Sequence, residues 1–186
     1  MIHVYTGDGK GKTTAAFGLA VRAAGQGLSV RAIQFLKGSR ESGEVVSARR
    51  LGLEVFSFGK RCSRSPFGGW EGECISCGEC WLINDQPSGL DREEFSRGWQ
   101  LARETVQERE FHLLVLDEII TALNKNLIEP GEFLQWMDNI PGKQELVLTG
   151  RNAPPGVIEK AHLVSRIENV KHYFQEGLEA RQGIEF

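Results

Sequence analysis

No run of about 18 consecutive apolar residues occurs anywhere in the sequence, which excludes a helix that crosses a membrane. Neither sign of charge dominates. The 22 Lys and Arg against 25 Asp and Glu leave a formal net charge of −3. Such a balance carries no electrostatic footprint of nucleic acid or of an anionic membrane surface, so neither is expected as a partner. Cysteine is absent outside one patch: all four lie at positions 62, 74, 77 and 80. The opening residues, MIHVYTGDGK, lack the basic-then-apolar pattern of a secretory signal. The expected location is therefore the cytoplasm, where thiols stay reduced or bind metal. No internal repeat and no linker-like stretch divides the 186 residues, which suit one domain (1–186) able to bury a core unaided.

What is present alternates between strand-like and helix-like patterns. IHVYT (2–6) reads as a strand, and KTTAAFGLAVRAAGQ (12–26) as an amphipathic helix stopped by Gly27. SVRAIQF (29–35) is a buried strand; a helix near 43–51 and a strand near 53–57 follow. Asp91 is read as the cap of a helix, DREEFSRGWQLARETVQER, with Phe95, Trp99, Ala102 and Val106 on one face. LLVLDE (113–118) is a further strand, then a helix near 130–139, the strand ELVLTG (145–150), a helix at 154–162 and a strand candidate at 163–170. Apolar strands alternating with helices imply an α/β fold, a mostly parallel central sheet with helices on both faces. Residues 58–90 depart from this, being rich in Gly, Ser, Pro and Cys without a period. An insertion of that length is expected to be functional or held together by something.

TGDGKGKTT (6–14) sits between the first strand and the first helix, the context a phosphate-binding loop requires. Its glycines at 7, 9 and 11 let backbone N–H groups turn around an anion, and the helix N-terminus adds positive potential. Lys12 supplies a charge for the phosphates and Thr13 a hydroxyl for Mg²⁺ or Mn²⁺. The usual pattern, G-x-x-x-x-G-K-[ST], begins with glycine; here that position is Thr6. The second half of such a site is a carboxylate ending an apolar strand, which LLVLDE offers as Asp117 or Glu118. The competing readings are a glycine-rich turn with a chance GKT, and two acids facing solvent at a strand end. Physical reasoning thus reaches a Mg-nucleotide-binding α/β protein of the P-loop NTPase-like, RecA-like type, and leaves the reaction open.

Four stretches, VYTGDGKGKTTAAFGLAVRAAGQGLSVRAIQFLKG, LLVLDEI, ELVLTGRNAP and VKHYFQEGLEARQGIEF, together resemble the P-loop ATP:corrinoid adenosyltransferases, which act on cob(I)alamin or on cob(I)yrinic acid a,c-diamide. The likeness runs in order over most of the chain and is weak only between about 58 and 90. Thr6 is typical of that family's loop. The resemblance implies transfer of the 5′-deoxyadenosyl group of ATP to the cobalt of a reduced corrinoid, with triphosphate leaving intact. It implies reversed ATP placement, the γ-phosphate lying where other P-loop proteins hold an inner phosphate. It also implies a flavodoxin-type or other reductant and a homodimer. Carried onto this sequence, it assigns ATP contacts to Gly7, Asp8, Gly9, Lys10, Gly11, Lys12, Thr13 and Thr14, and a phosphate contact to Arg22. It assigns metal contact to Thr13 and Glu118, and either a nucleotide contact or a loop-holding role to Arg151. Lys12, Thr13 and Glu118 are then the expected catalytic residues.

Two features of the insertion depart from the family. Its Phe-x-Trp-Glu segment, which displaces the lower corrinoid ligand, has its counterpart in PFGGWEGE, where Phe67 and Trp70 stand one residue further apart. They are expected at the corrinoid; the alternative is that they pack the loop. Cys62, Cys74, Cys77 and Cys80 form C-x11-C-x2-C-x2-C. Close C-x2-C pairs suit Zn²⁺ and partly match Fe–S spacing, so a zinc ion or a cluster is expected, against four free thiols. Of the four histidines, His3 and His112 open strands and read as structural, and none is assigned to cobalt. The competing functions are another P-loop ATPase or kinase, and a regulatory module that binds nucleotide and metal.

Overall fold

In a computed structural model, residues 1–38, 43–59, 86–108, 111–178, 181 and 183–184 are described. Six strands form one sheet: β1 Ile2–Thr6, β2 Val30–Phe35, β3 Glu54–Phe58, β4 Leu113–Asp117, β5 Glu145–Gly150 and β6 Leu163–Arg166. Their spatial order is β3-β2-β4-β5-β1-β6. Every pairing is parallel, with Val4 opposite Leu148 and Val164, and Val115 opposite Ala32 and Val147. The sheet is thus wholly parallel among the described residues, an α/β architecture.

The helices are α1 Lys12–Gly25, α2 Gly43–Arg50, α3 Gly89–Glu108, α4 Ile119–Asn124, α5 Pro130–Asp138 and α6 Pro155–Lys160. A 3-10 turn spans Tyr173–Glu176. The strand alternation explains how they divide. Leu114 and Leu116 of β4, with Leu146 and Leu148 of β5, pack with residues of α3, α4, α5 and α6. Leu113, Val115 and Val147 point the other way, onto Ala16, Phe17 and Ala20 of α1 and Val45 and Ala48 of α2. Because both faces are covered, β4 is buried at all five positions and reads in sequence as an unbroken apolar run.

Several element boundaries differ from the sequence reading, and one helix was not read. Helix α3 starts at Gly89, because Ser88 is its cap: the Ser88 N–H donates to Asp91 Oδ2 at 2.8 Å, and the Asp91 N–H donates back to Ser88 Oγ at 3.3 Å. Asp91 is therefore the return partner of a capping box rather than the cap. Helix α4 follows directly on Glu118 with no intervening loop, so its six residues merge in sequence with the apolar strand before them. Strand β6 ends at Arg166 instead of 170: the Ile167 N–H still bonds β1 at Thr6 O, and its carbonyl then accepts from Gly9 of the phosphate loop instead of from a strand. The 58–90 insertion is shorter than drawn at both ends, since β3 runs to Phe58 and α3 begins at Gly89. Among the described residues no helix is long and apolar enough to cross a membrane.

Candidate functional site

The carboxyl ends of β1, β4 and β5 are neighbours, which is where open parallel sheets bind ligands. The loop Gly7–Gly11 leaves β1 there. Gly7 and Gly11 have φ of 110° and 120°, a backbone that side chains resist. A Cβ on Gly7 would lie 2.3 Å from the Ile167 carbonyl oxygen, and one on Gly9 would lie 2.6 Å from that of Glu168. The chain after β6 presses on the loop from outside: the Gly9 N–H donates to Ile167 O at 2.9 Å, and the Ile167 N–H donates to Thr6 O at 2.8 Å. Thr6 itself has a structural purpose. Its Oγ1 accepts the Ala153 N–H at 3.1 Å, tying the loop to the segment after β5, a bond that glycine cannot make.

Lys12 opens α1 with its ammonium turned back into the loop, donating to Gly7 O at 2.7 Å and Gly9 O at 2.8 Å. Burial pushes its pKa below the ordinary value and the Arg151 cation adds to this, while Glu118, Asp8 and Asp117 oppose without cancelling it. An anion placed in the loop would remove that penalty.

Asp117, fully buried at the end of β4, is saturated by four donors. Its Oδ1 accepts from Thr13 Oγ1 at 2.8 Å and Thr149 Oγ1 at 2.7 Å; its Oδ2 accepts from Gln34 Nε2 at 3.1 Å and Lys37 Nζ at 2.7 Å. Lys37 also reaches Glu44 at 3.0 Å. Burial opposes ionisation of Asp117, but Lys37 and the hydroxyl donors outweigh it and hold the carboxyl below the usual carboxylate range. Burial likewise opposes charge on Lys37, yet Asp117 and Glu44 raise its pKa above the ordinary lysine value.

Glu118 is different. It has φ 61°, left-handed for a non-glycine residue, and donates its N–H to Thr149 Oγ1 at 2.9 Å. Its carboxylate accepts the Thr121 hydroxyl and lines the cavity described below. Strained backbone of this kind persists where surrounding bonds over-determine it, commonly at working sites. The donor set is hydroxyl and carboxylate oxygen, which suits a hard divalent cation. With Asp117 already holding four donors, Thr13 and Glu118 are the better placed protein oxygens. Among the described residues no cluster of three or more His, Cys, Asp or Glu could cage a metal. Two protein oxygens would leave the rest of a hard cation's shell to phosphate oxygens and water.

The loop opens on a cavity of about 1210 Å³. Asp8, Gly9, Lys10, Gly11, Lys12, Thr13, Thr14, Glu118 and Arg151 all line it, whereas Gly7 and the fully buried Asp117 are not among its lining residues. Arg22 is placed elsewhere. It is exposed in the last turn of α1, ten residues and about 15 Å of helix rise beyond Lys12, beside Val21 at the cavity's margin. Phe67, Trp70, Cys62, Cys74, Cys77 and Cys80 lie outside the described residues. Lys37, which lines the cavity, and the buried Gln34 and Thr149 had no sequence signal, because each is brought to Asp117 by strand pairing. The aromatic residues Tyr173 and Phe174 of the C-terminal segment were also missed as part of the cavity wall. His3, paired to Glu145, and His112, bonded to Ser29, lie at the other end of the strands.

Comparison with known proteins agrees with this geometry. Residues 1–186 match the family model described as ATP:corrinoid adenosyltransferase BtuR/CobO/CobP. A corrinoid adenosyltransferase of Pseudomonas aeruginosa is 34% identical over 183 residues, covering 98% of this chain and 82% of that one. One from Sinorhizobium is 34% identical, covering 100% and 80%. One from Escherichia coli K12 is 32% identical, covering 100% and 85%. A match over the whole chain, phosphate loop and cavity wall included, places this protein in the ATP:corrinoid adenosyltransferase family.

Proposed function

We propose that the chain transfers the 5′-deoxyadenosyl group of ATP to the Co(I) centre of a corrinoid and releases triphosphate. The observation that carries this is the single cavity holding the phosphate loop, Glu118 and Arg151 in a chain that matches the family from end to end.

In the reaction, a Co(I) lone pair attacks C5′, the C5′–O bond breaks, and its electron pair leaves with the triphosphate. Cobalt becomes formally Co(III), and no proton is transferred. The protein's contribution is positioning and charge stabilisation. Lys12, with its ammonium turned into the loop, neutralises the departing polyphosphate, and the N-terminal end of α1 adds positive potential. Arg151, at the end of β5, adds a second cation on the same cavity. Thr13 and Glu118 would hold Mg²⁺, which when bound supplies charge neutralisation for the phosphates. Asp117, locked by Lys37, Gln34 and Thr149, fixes the Thr13 hydroxyl. Phe67 and Trp70 keep the corrinoid role implied by the family, as does a flavodoxin-type reductant that delivers Co(I); Arg22, exposed in the last turn of α1, is not assigned a phosphate contact. A homodimer and a zinc ion or cluster at the four cysteines complete the reading.

The test is anaerobic. Protein, Mg-ATP and chemically reduced cob(I)alamin should give a light-sensitive alkyl-cobalt product with one intact triphosphate per cobalt. Formation of ADP and phosphate regardless of corrinoid would refute it.

A further inference from the structure

The chain beyond β6 belongs to the cavity and adds large, exposed apolar side chains to its wall. After Ile167 bonds the phosphate loop, the segment runs along the opening and forms a self-capped turn. The Phe174 N–H donates to His172 Nδ1 at 3.1 Å, and Gly177, at φ 82°, closes the turn. Tyr173 pins it: its hydroxyl accepts from Lys10 Nζ at 2.5 Å, and the Lys10 and Arg181 cations lie 5.3 and 5.2 Å from its ring centre. Beside this anchor stand Phe174, Leu178 and Ile184, which are 74%, 43% and 63% exposed and all line the cavity.

Large apolar side chains held out into a cavity mark a surface that a ligand covers. The same cavity is also lined by charge, with Lys12, Glu118 and Arg151. Its occupant thus has an anionic end and a broad apolar face, or is two molecules, one of each kind. At about 1210 Å³ the cavity exceeds the range of about 300–1,000 Å³ common for one small ligand. In-line attack at C5′ requires the corrinoid to lie beyond the nucleotide, away from the phosphate loop. The corrin is a flat, largely apolar macrocycle with polar groups at its rim, which an aromatic face and two aliphatic side chains match.

We infer that Phe174, Leu178 and Ile184 form a platform for the corrin ring, held in place by the Lys10–Tyr173 bond. The inference rests on the adenosyltransferase reading, with Tyr173 as a positioning residue and Phe174 as the principal contact. It accounts for an exposed phenylalanine on a turn that buries little else.

The test uses full-length Phe174→Ala with cobalamin and cobinamide as probes. Corrinoid binding is followed by visible spectroscopy, nucleotide binding by calorimetry, and KM is measured for each substrate. Corrinoid Kd and KM should rise about tenfold or more, while ATP Kd and KM stay within about twofold. Phe174→Tyr, which keeps the ring, should recover most of the loss. Weaker ATP binding with corrinoid unchanged would assign the wall to adenine and overturn the inference. Loss of an oligomer at unchanged corrinoid affinity would assign it to a second copy of the chain, with the same consequence. Indifference of both substrates would also overturn it. Failure of the wild-type protein to alkylate cobalt would strike the adenosyltransferase reading; wild-type activity with an indifferent Phe174 would strike only the platform.

Discussion

Lys12, at the start of α1, and Asp117, at the end of β4, show how two buried charges divide their work. Lys12 is held by carbonyl oxygens alone and carries a lowered pKa, so it is set to gain from a polyanion. Lys12→Ala should cut adenosylation by about 10²-fold or more, the loss seen when one preorganised charge-stabilising donor is removed. The measurement is single-turnover alkylation at saturating corrinoid, and near-wild-type rates would contradict the role. Binding ATP should also raise the Lys12 pKa toward the ordinary value, giving net proton uptake at alkaline pH; calorimetry in buffers of different ionisation enthalpy reads this directly. Asp117 is bound to protein on all sides, and its replacement is expected to act on stability first. Asp117→Asn leaves Lys37 buried with only Glu44 for charge, a loss of about 3–5 kcal/mol by urea denaturation. The pH dependence follows from the signs of the shifts. Asp117 is depressed, so its stabilisation is present above the unfolded carboxyl value of about 3.9 and fades as pH falls through its lower folded value. Lys37 is raised, so its share is complete below about 10.4 and fades only as pH rises through its higher folded value. Asp117→Asn should therefore lose stability less steeply than wild type below about pH 4; equal slopes would contradict the assignment.

At the scale of elements, the central strands β2, β4 and β5 were legible because burial on both sheet faces writes them as apolar runs, LLVLD being the clearest. The phosphate loop was legible because its parts are contiguous: strand, glycines, Lys12, Thr13 and helix follow one another in the chain. Helix α4 was not, since six residues directly behind a strand, four of them apolar, carry no period of their own. Nor were Gln34, Lys37, Thr149 and Tyr173, which reach the site from β2, the turn after it, β5 and the C-terminal segment; local pattern says nothing of such pairings. Thr6 was legible as a departure from the usual loop, and only its bond to Ala153 explains it. The loop glycines supply a test at this scale. Gly11→Ala carries backbone strain alone, of about 1–3 kcal/mol, since nothing lies within 4 Å of the added Cβ. Gly7→Ala carries similar strain and also drives into Ile167 O, so it should lower the melting temperature further and displace the C-terminal segment. Equal melting temperatures would mean that the segment does not brace the loop. Ser88→Ala should cost about 1 kcal/mol through loss of the α3 capping box, with ATP binding unaffected.

For the whole molecule, one parallel sheet collects the phosphate loop, two carboxylates and Arg151 at its carboxyl edge, and the chain's last described segment returns to wall the same cavity. That arrangement gives a polyanion site beside an apolar surface, which suits a reaction whose leaving group is triphosphate and whose nucleophile is the metal of a flat macrocycle. An ordinary phosphoryl-transfer enzyme on this frame would instead break a bond between phosphates. The measurement that separates the two most directly is the fate of the ATP phosphates in an anaerobic reaction with cob(I)alamin. The account predicts intact triphosphate, equal in amount to the alkyl-cobalt formed and absent when corrinoid is left out. ADP and phosphate, produced at the same rate with or without corrinoid, would contradict it.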